Sequence, residues 1–278
     1  MASLNLQFDG YREGDGDLAT ALSSKTFSIQ NIFLILQAFL QSEPSVSFHS
    51  AASALINMLP EDPSSTETWG VGELFLELAE QIPYNHPSHV KLALLLEYIG
   101  PSVKLGQKTH IPGRGRIWHR FQRLGESLLD QMPSVPESGD DMAYVNYHAF
   151  AANLHEFRIF PTDPTHSIWA MRDAFEKKLE EESHQMIRVM AAAQWIRWNG
   201  QGLFKQVLWH SEPTLDDERD WTRGGLFEGK TLLGLDRWTF WRVGFQEAAG
   251  KENYTAEARA VAKGAAELME NIERCMST

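Results

Sequence analysis

The feature that most constrains this chain is the spacing of its apolar residues, which recur every three to four positions. Between Thr26 and Pro44, for example, Ile32, Phe33, Leu36 and Leu40 fall on one face of a helix, and Pro44 ends it. Runs that alternate between polar and apolar residues are scarce throughout the chain. The sequence therefore predicts an all-α fold, a bundle of about ten helices.

Prolines and glycines divide the helical pattern. The predicted helices start near Thr26 and then cover 49–59, 67–82, 88–99, 117–132, 142–160, 165–182, 186–208, 236–247 and 255–276. Ser88 and Asp236 are predicted to cap their helices, Glu176 to face solvent, and residues 101–115 to form a basic loop. No exact repeat is visible, although successive helix pairs can stack as a short solenoid does.

The first 24 residues are rich in Gly, Asp and Ser and are expected to form a flexible arm. No linker interrupts the rest, so residues 25–278 are expected to form a single α-helical domain. With 43% hydrophobic and 22% charged residues, the composition is that of an ordinary globular protein. Such a chain can bury a large core without help from disulfides.

Charge and cysteine content narrow the classes of partner. The net charge of −12 would repel nucleic acid and anionic lipid, so we expect neither as a partner. Cys275 is the sole cysteine, which excludes an intrachain disulfide. The longest apolar stretch, Ile32 to Leu40, is too short to span a bilayer, and no secretory signal is readable. We expect a cytoplasmic protein; its oligomeric state stays open.

An acidic run at 216–220, reading DDERD, is the sharpest chemical candidate. Asp216, Asp217 and Asp220 fit the DDxxD pattern with which class I terpene cyclases bind Mg²⁺ ions around a substrate diphosphate. The run follows Pro213 in an expected loop, and no second metal motif follows it. The alternative is a set of solvated acids paired with Arg219 and Arg223.

Tryptophans supply the second candidate. Trp195, Trp198, Trp238 and Trp241 can line a substrate pocket and stabilise a carbocation, or they can simply fill the core. Arg237 and Arg242, on the same predicted helix as two of them, are candidate catalytic groups that would hold an anionic leaving group; the alternative is surface ion pairs.

Histidines offer a weaker signal. His148 and His155 lie seven residues apart on one helical face, and Glu180 with His184 form an i, i+4 pair, but no third ligand has a suitable spacing. Structural or exposed histidines are the simpler interpretation. The chain has no GxSxG, P-loop or HExxH motif, and Gly70-x-Gly72 and Gly113-x-Gly115 lack the third glycine and the preceding strand of a dinucleotide-binding loop. These absences argue against a hydrolase, an NTPase or a Rossmann oxidoreductase.

Five stretches, in order, resemble the fungal family of unknown function DUF3632. They are QIPYNHPSHVKLALLLEYI (81–99), YVNYHAFAANLHE (144–156), IWAMRDAFE (168–176), AAQWIRWNGQGLF (192–204) and GGLFEGKTLLGLDRWTFWRVGFQE (224–247). The resemblance covers about residues 70–250 and implies an α-helical fungal protein, some of whose relatives lie in natural-product gene clusters. Kinship with the atypical fungal humulene-type sesquiterpene cyclases is also expected, without a motif that carries over catalytic residues.

Two hypotheses of different classes follow. The first is a secondary-metabolism enzyme that cyclises or isomerises a hydrophobic small molecule, most concretely an atypical sesquiterpene cyclase acting on a prenyl diphosphate with Mg²⁺; a metal-free cyclase is a variant. The second is a non-catalytic α-helical protein-interaction module. A cyclase requires a cavity lined by tryptophans, whereas an interaction module requires a solid core and an exposed groove.

Overall fold

Helices carry nearly all of the regular structure in this computed structural model, which describes residues 3–11, 16–111, 115–120, 141–159, 164–178, 182–209 and 215–276. Within those ranges there are eleven helices. They are α1 (Leu18–Ser23), α2 (Ile29–Phe39), α3 (Phe48–Met58), α4 (Thr66–Gln81), α5 (Ser88–Ile99), α6 (Asp141–Glu156), α7 (Thr165–Phe175), α8 (Glu182–Leu208), α9 (Leu215–Asp220), α10 (Leu235–Ala249) and α11 (Ala256–Met276). The all-α prediction of about ten helices is confirmed.

The chain forms two compact units. One comprises Met1–Pro133 with Phe157–Pro161, and the other comprises Ser134–Glu156 with Thr162–Thr278. We call them unit 1 and unit 2. The organisation of residues 25–278 as a single domain stays a prediction.

Serines define the starts of three successive helices in unit 1. The hydroxyls of Ser28, Ser47 and Ser65 each accept the backbone N–H three residues ahead, at 3.2 Å. This bond satisfies one of the N–H groups that a helix leaves unpaired at its start. The apolar faces of these helices are buried through side chains such as Ile32, Leu55 and Phe75, each at most 1% exposed.

The described part of the N-terminal segment is packed in unit 1, unlike the flexible arm expected for residues 1–24. Leu6 is buried, and its carbonyl accepts a hydrogen bond from Gln37 Nε2 at 3.0 Å. The side-chain amide of Gln81 pairs with the backbone of Gln7, accepting at 2.7 Å and donating at 2.9 Å. Side-chain amides of α2 and α4 thus satisfy a backbone that has no partner strand.

A two-stranded antiparallel hairpin, β1 (Gly106–Ile111) and β2 (Gly115–Arg120), occupies part of the expected basic loop. The hairpin also corrects the start of the helix predicted at 117–132, since Ile117 pairs with Thr109 across it. Residues 121–132 of that predicted helix lie outside the described residues. The two strands are six residues long each and pair from Gly106 with Arg120 to Ile111 with Gly115.

In unit 2 a single long helix, α8, packs against α6, α7, α10 and α11. Its middle carries Ala191, Ala192 and Ala193, all buried, which lets neighbouring backbones approach closely. Stacked helix pairs would instead contact mainly their neighbours in sequence. The stacking of successive helix pairs as in a solenoid stays a prediction.

The predicted caps of two helices are also corrected. Ser88 is the first residue of α5, and its hydroxyl donates to the Leu40 carbonyl at 2.5 Å instead of capping the helix. Asp236 lies inside the first turn of α10, whose N-cap is Gly234. As for membranes, every helix in the described ranges is too short or too polar to cross a bilayer.

Candidate functional site

Both arginines that the sequence offers as catalytic groups are hydrogen-bonded to carboxylates, in two similar clusters of side chains. In the first, which we call the buried triad, Glu176 Oε1 accepts Arg237 Nε at 2.7 Å and the indole N–H of Trp241 at 2.7 Å. In the second, the outer triad, Glu273 Oε1 accepts Arg242 Nε at 2.9 Å and the indole N–H of Trp238 at 2.8 Å. Each carboxylate thus ties an arginine and a tryptophan of α10 to another helix or its end.

The two triads differ in their access to solvent. The side chains of Arg237 and Glu176 are both 0% exposed, whereas Arg242 and Glu273 are 20% and 27% exposed. A charge without access to water needs every donor and acceptor satisfied. Arg237 is satisfied: it also donates to the carbonyls of Trp221 at 2.7 Å and Thr222 at 3.3 Å, and to the carbonyl of Leu232.

The sequence prediction for Glu176 is therefore wrong. It places Glu176 at the solvent-exposed face of its helix, whereas the side chain is fully buried. Besides Arg237 and Trp241, its carboxylate accepts the backbone N–H of Gly224 at 2.7 Å. Its own carbonyl accepts the N–H of Leu226 at 2.9 Å. One glutamate at the C-terminal end of α7 thereby fixes the irregular segment 221–234, which connects α9 to α10.

Gly224 makes this attachment sterically possible. A Cβ placed on Gly224 would lie 2.4 Å from the carbonyl oxygen of Glu176 and 2.5 Å from its Cβ, whereas a Cβ on Gly225 would meet nothing within 4 Å. We expect Gly224→Ala to lower the free energy of unfolding by about 1–3 kcal/mol, because backbone must move to remove the overlap.

The adjacent Gly225→Ala variant is the matched control, and we expect a change within about 0.5 kcal/mol. Chemical denaturation of both variants measures the difference. Equal stability of the two would show that segment 221–234 does not rest on Glu176 as described.

Three of the four candidate tryptophans lie in the core. Trp195, Trp238 and Trp241 are at most 1% exposed. Trp238 packs on Phe204 with ring centroids 4.8 Å apart, and the Arg237 guanidinium lies 5.3 Å from the Trp241 ring centroid. Protein side chains thus occupy the faces that a substrate would need.

Trp195 lies among the histidines. Its indole N–H donates to His148 Nδ1 at 3.0 Å, and the His155 ring centroid lies 5.3 Å away. Because Nδ1 must accept from an indole that can only donate, the proton of neutral His148 resides on Nε2. Burial lowers the pKa of His148 to about 3. These histidines have the structural role that was the simpler of the two interpretations.

The acidic run forms a short helix, α9. Asp220 Oδ1 accepts Arg219 Nε at 2.9 Å, and its carbonyl accepts the indole N–H of Trp169 at 2.8 Å. The side chains of Asp216 and Asp217 are not among the described ones. Among the side chains that are described, no three His, Cys, Asp or Glu converge as metal ligands.

Trp198 is the candidate tryptophan that lies at an open surface. It is half-buried on α8, with the Arg197 guanidinium 5.1 Å from its ring centroid. With Leu268, Ile272 and Met276 of α11, Trp198 lines a groove of about 390 Å³. We call it the α8–α11 groove. Its polar lining comprises Glu156, Arg197, Asn199, Gln201 and Asn271.

The shape of the α8–α11 groove follows from a close helix contact. A Cβ on Gly200 of α8 would lie 3.2 Å from Ile272 Cδ1, so the two helices meet at this glycine. Glu156, at the end of α6, closes one side by accepting Asn199 Nδ2 at 3.0 Å. A small ligand site typically has a volume of about 300–1,000 Å³ and a largely apolar wall with a few polar groups, and the groove falls in this range.

A second pocket, of about 160 Å³, lies where α7, α8 and α10 meet, and includes Phe175, Val189, Phe240 and Tyr254. It is smaller than the usual range for a small-molecule site. Neither this pocket nor the groove is lined by Trp195, Trp238 or Trp241.

The described residues form a helical protein with a packed aromatic core and an open groove beside it. The family described as "Protein of unknown function (DUF3632)" matches residues 73–245, which is more than half of the chain. The chain belongs to this family, as the five stretches indicated. No match was found among curated proteins or solved structures.

Proposed function

We propose that this protein is a non-catalytic binding protein that holds a small apolar ligand in the α8–α11 groove. The observation that supports this most is the contrast among the four tryptophans. Trp198 borders a groove of about 390 Å³, while Trp195, Trp238 and Trp241 are enclosed by protein. The proposal retains the hydrophobic small-molecule partner expected from the sequence and leaves out catalysis.

Apolar lining from α11 gives the groove its affinity for such a ligand. Leu268, Ile272 and Met276 face Trp198 across it. Covering this surface removes apolar area from water, which stabilises a complex by about 25 cal/mol per Å² before the cost of immobilising the ligand. Methionine adapts its shape to different ligands, and tryptophan offers a large rigid surface.

The test is isothermal titration calorimetry of the full chain with decanol, a neutral apolar probe. We expect saturable binding to the wild type and at least about tenfold weaker binding to Trp198→Ala, because the substitution removes the largest apolar side chain of the groove lining. Trp209→Ala is the matched control, since Trp209 is 72% exposed and outside the groove lining. Equal binding by all three proteins would contradict the proposal.

A protein-interaction module is the second candidate, favoured by the openness of the groove to solvent. Gln201 and Asn271 are exposed at its edge, and side-chain amides of this kind pair with a peptide main chain. A partner segment would span the groove and contact surface beyond it. A probe that binds saturably at Trp198 while remaining wholly within the groove favours the small-molecule proposal over this one.

The Mg²⁺-dependent cyclase stays a hypothesis based on the sequence. Its arginines, Arg237 and Arg242, are engaged in the two triads, so they would have to leave Glu176 and Glu273 to meet a diphosphate. Incubation with farnesyl diphosphate and Mg²⁺, followed by gas chromatography, is the decisive assay. We expect no hydrocarbon from the folded protein. A hydrocarbon product would overturn the non-catalytic proposal.

A further inference from the structure

We propose that the ligand of the α8–α11 groove carries a carboxylate, which binds the guanidinium of Arg197 while the apolar part of the ligand lies against Trp198. This inference rests on the proposed function and specifies the chemistry of the ligand. The class is a small amphipathic carboxylic acid.

Arg197 is oriented for this role by its contact with Trp198. Its guanidinium lies 5.1 Å from the centre of the indole ring. A guanidinium beside an aromatic ring keeps N–H donors available to a planar acceptor. Within the described residues Arg197 has no ion pair, and it is exposed while lining the groove. A carboxylate is the acceptor whose two oxygens match the arginine fork.

Two charged side chains line the groove, Arg197 and Glu156. Arg197 is the one of the two whose charged group has no polar partner within the described residues, so it is the group available to a ligand. Glu156 contributes one negative charge, and its Oε2 is engaged with Asn199. The acidic α11 residue Glu273 is directed instead to Arg242 and Trp238.

The net charge of −12 for the whole chain opposes this pairing only weakly. At physiological ionic strength the Debye length is about 8 Å, so distant charges are largely screened while a contact pair is not. The contact between Arg197 and a carboxylate therefore affects binding more than the repulsion from the net charge of the chain.

The experiment compares decanoate with decanol by calorimetry on the full chain, with decanoate below its micelle concentration and decanol below its solubility limit. The two probes have the same alkyl length and differ in the headgroup. We expect decanoate to bind wild type about threefold to fivefold more tightly, because a charge-assisted pair is added to the same apolar contact and water partly screens it at the exposed Arg197. Arg197→Met should remove this preference, so that decanoate and decanol bind the variant with similar affinity.

Two further variants make the result specific. Arg197→Lys keeps the charge without the fork and should retain only part of the preference. Lys205→Met removes an exposed charge from the same helix outside the groove lining and should keep all of it. Decanol binding at Trp198 with no preference for decanoate would overturn the carboxylate inference and leave the proposed function standing. Absence of binding by either probe would overturn both.

Discussion

Arg237→Met should lower the free energy of unfolding by about 3–5 kcal/mol, because it leaves the buried carboxyl group of Glu176 without its arginine partner. Both side chains are 0% exposed, so water cannot replace the lost partner. The carbonyls of Trp221 and Thr222 would lose their donor as well. Guanidinium chloride unfolding of the variant and the wild type measures the change.

The outer triad supplies a control of the same chemistry in a different environment. Arg242→Met breaks the pair with Glu273, but these side chains are 20% and 27% exposed. Water can solvate the remaining carboxylate, so we expect a loss of only about 1 kcal/mol. A double variant, Arg237→Met with Glu176→Gln, should regain part of the stability lost by the single change, because the unpaired buried charge is gone. Equal losses for the two arginine variants would contradict the structural role of the buried triad.

Acidification should destabilise unit 2 through His148. Burial lowers its pKa in the folded chain to about 3, whereas an unfolded histidine has a pKa near 6.5. Above about pH 6.5 the imidazole is neutral in both states. Between about pH 6.5 and 3 only the unfolded state takes up the proton, so the free energy of unfolding falls by about 1.4 kcal/mol for each pH unit.

The measurement compares the wild type with His148→Gln at pH 7.5 and pH 5.5. The variant loses the titrating group, so acidification should cost it about 1.4 kcal/mol less than it costs the wild type. Subtracting the change in one protein from the change in the other removes the contribution of the other titrating groups. These include His89, whose pKa burial lowers to about 4, and Glu80, whose pKa burial raises to about 6. The same loss in both proteins would show that His148 is protonated in the folded state.

The helices could be predicted from the sequence because their signals are local. Apolar spacing fixes the buried face, and residues such as Ser65 and Pro83 mark where α4 can start and end. The hairpin at 106–120 was missed because its polar and basic residues carry no alternating apolar pattern.

The roles of the site residues could not be predicted in the same way. Glu176 lies at the end of an amphipathic helix, where a charged residue usually faces water, and its partner Arg237 is 61 positions away. One signal was available in the composition of α10. Its two arginines and two tryptophans need hydrogen-bond acceptors once they are buried. Trp195 and Trp198 illustrate the same limit: they are three residues apart on α8, yet one is core and the other borders a groove.

The indole N–H signals in a ¹⁵N-correlated NMR spectrum report where a ligand binds, because each of the nine tryptophans contributes one signal. The signals of Trp195, Trp198, Trp238 and Trp241 are assigned by replacing each in turn with phenylalanine. On titration with decanoate, we predict that the Trp198 signal shifts saturably while those of Trp195, Trp238 and Trp241 stay in place. Saturable shifts of the Trp238 and Trp241 signals, with Trp198 unaffected, would contradict the account and place the ligand inside the aromatic core.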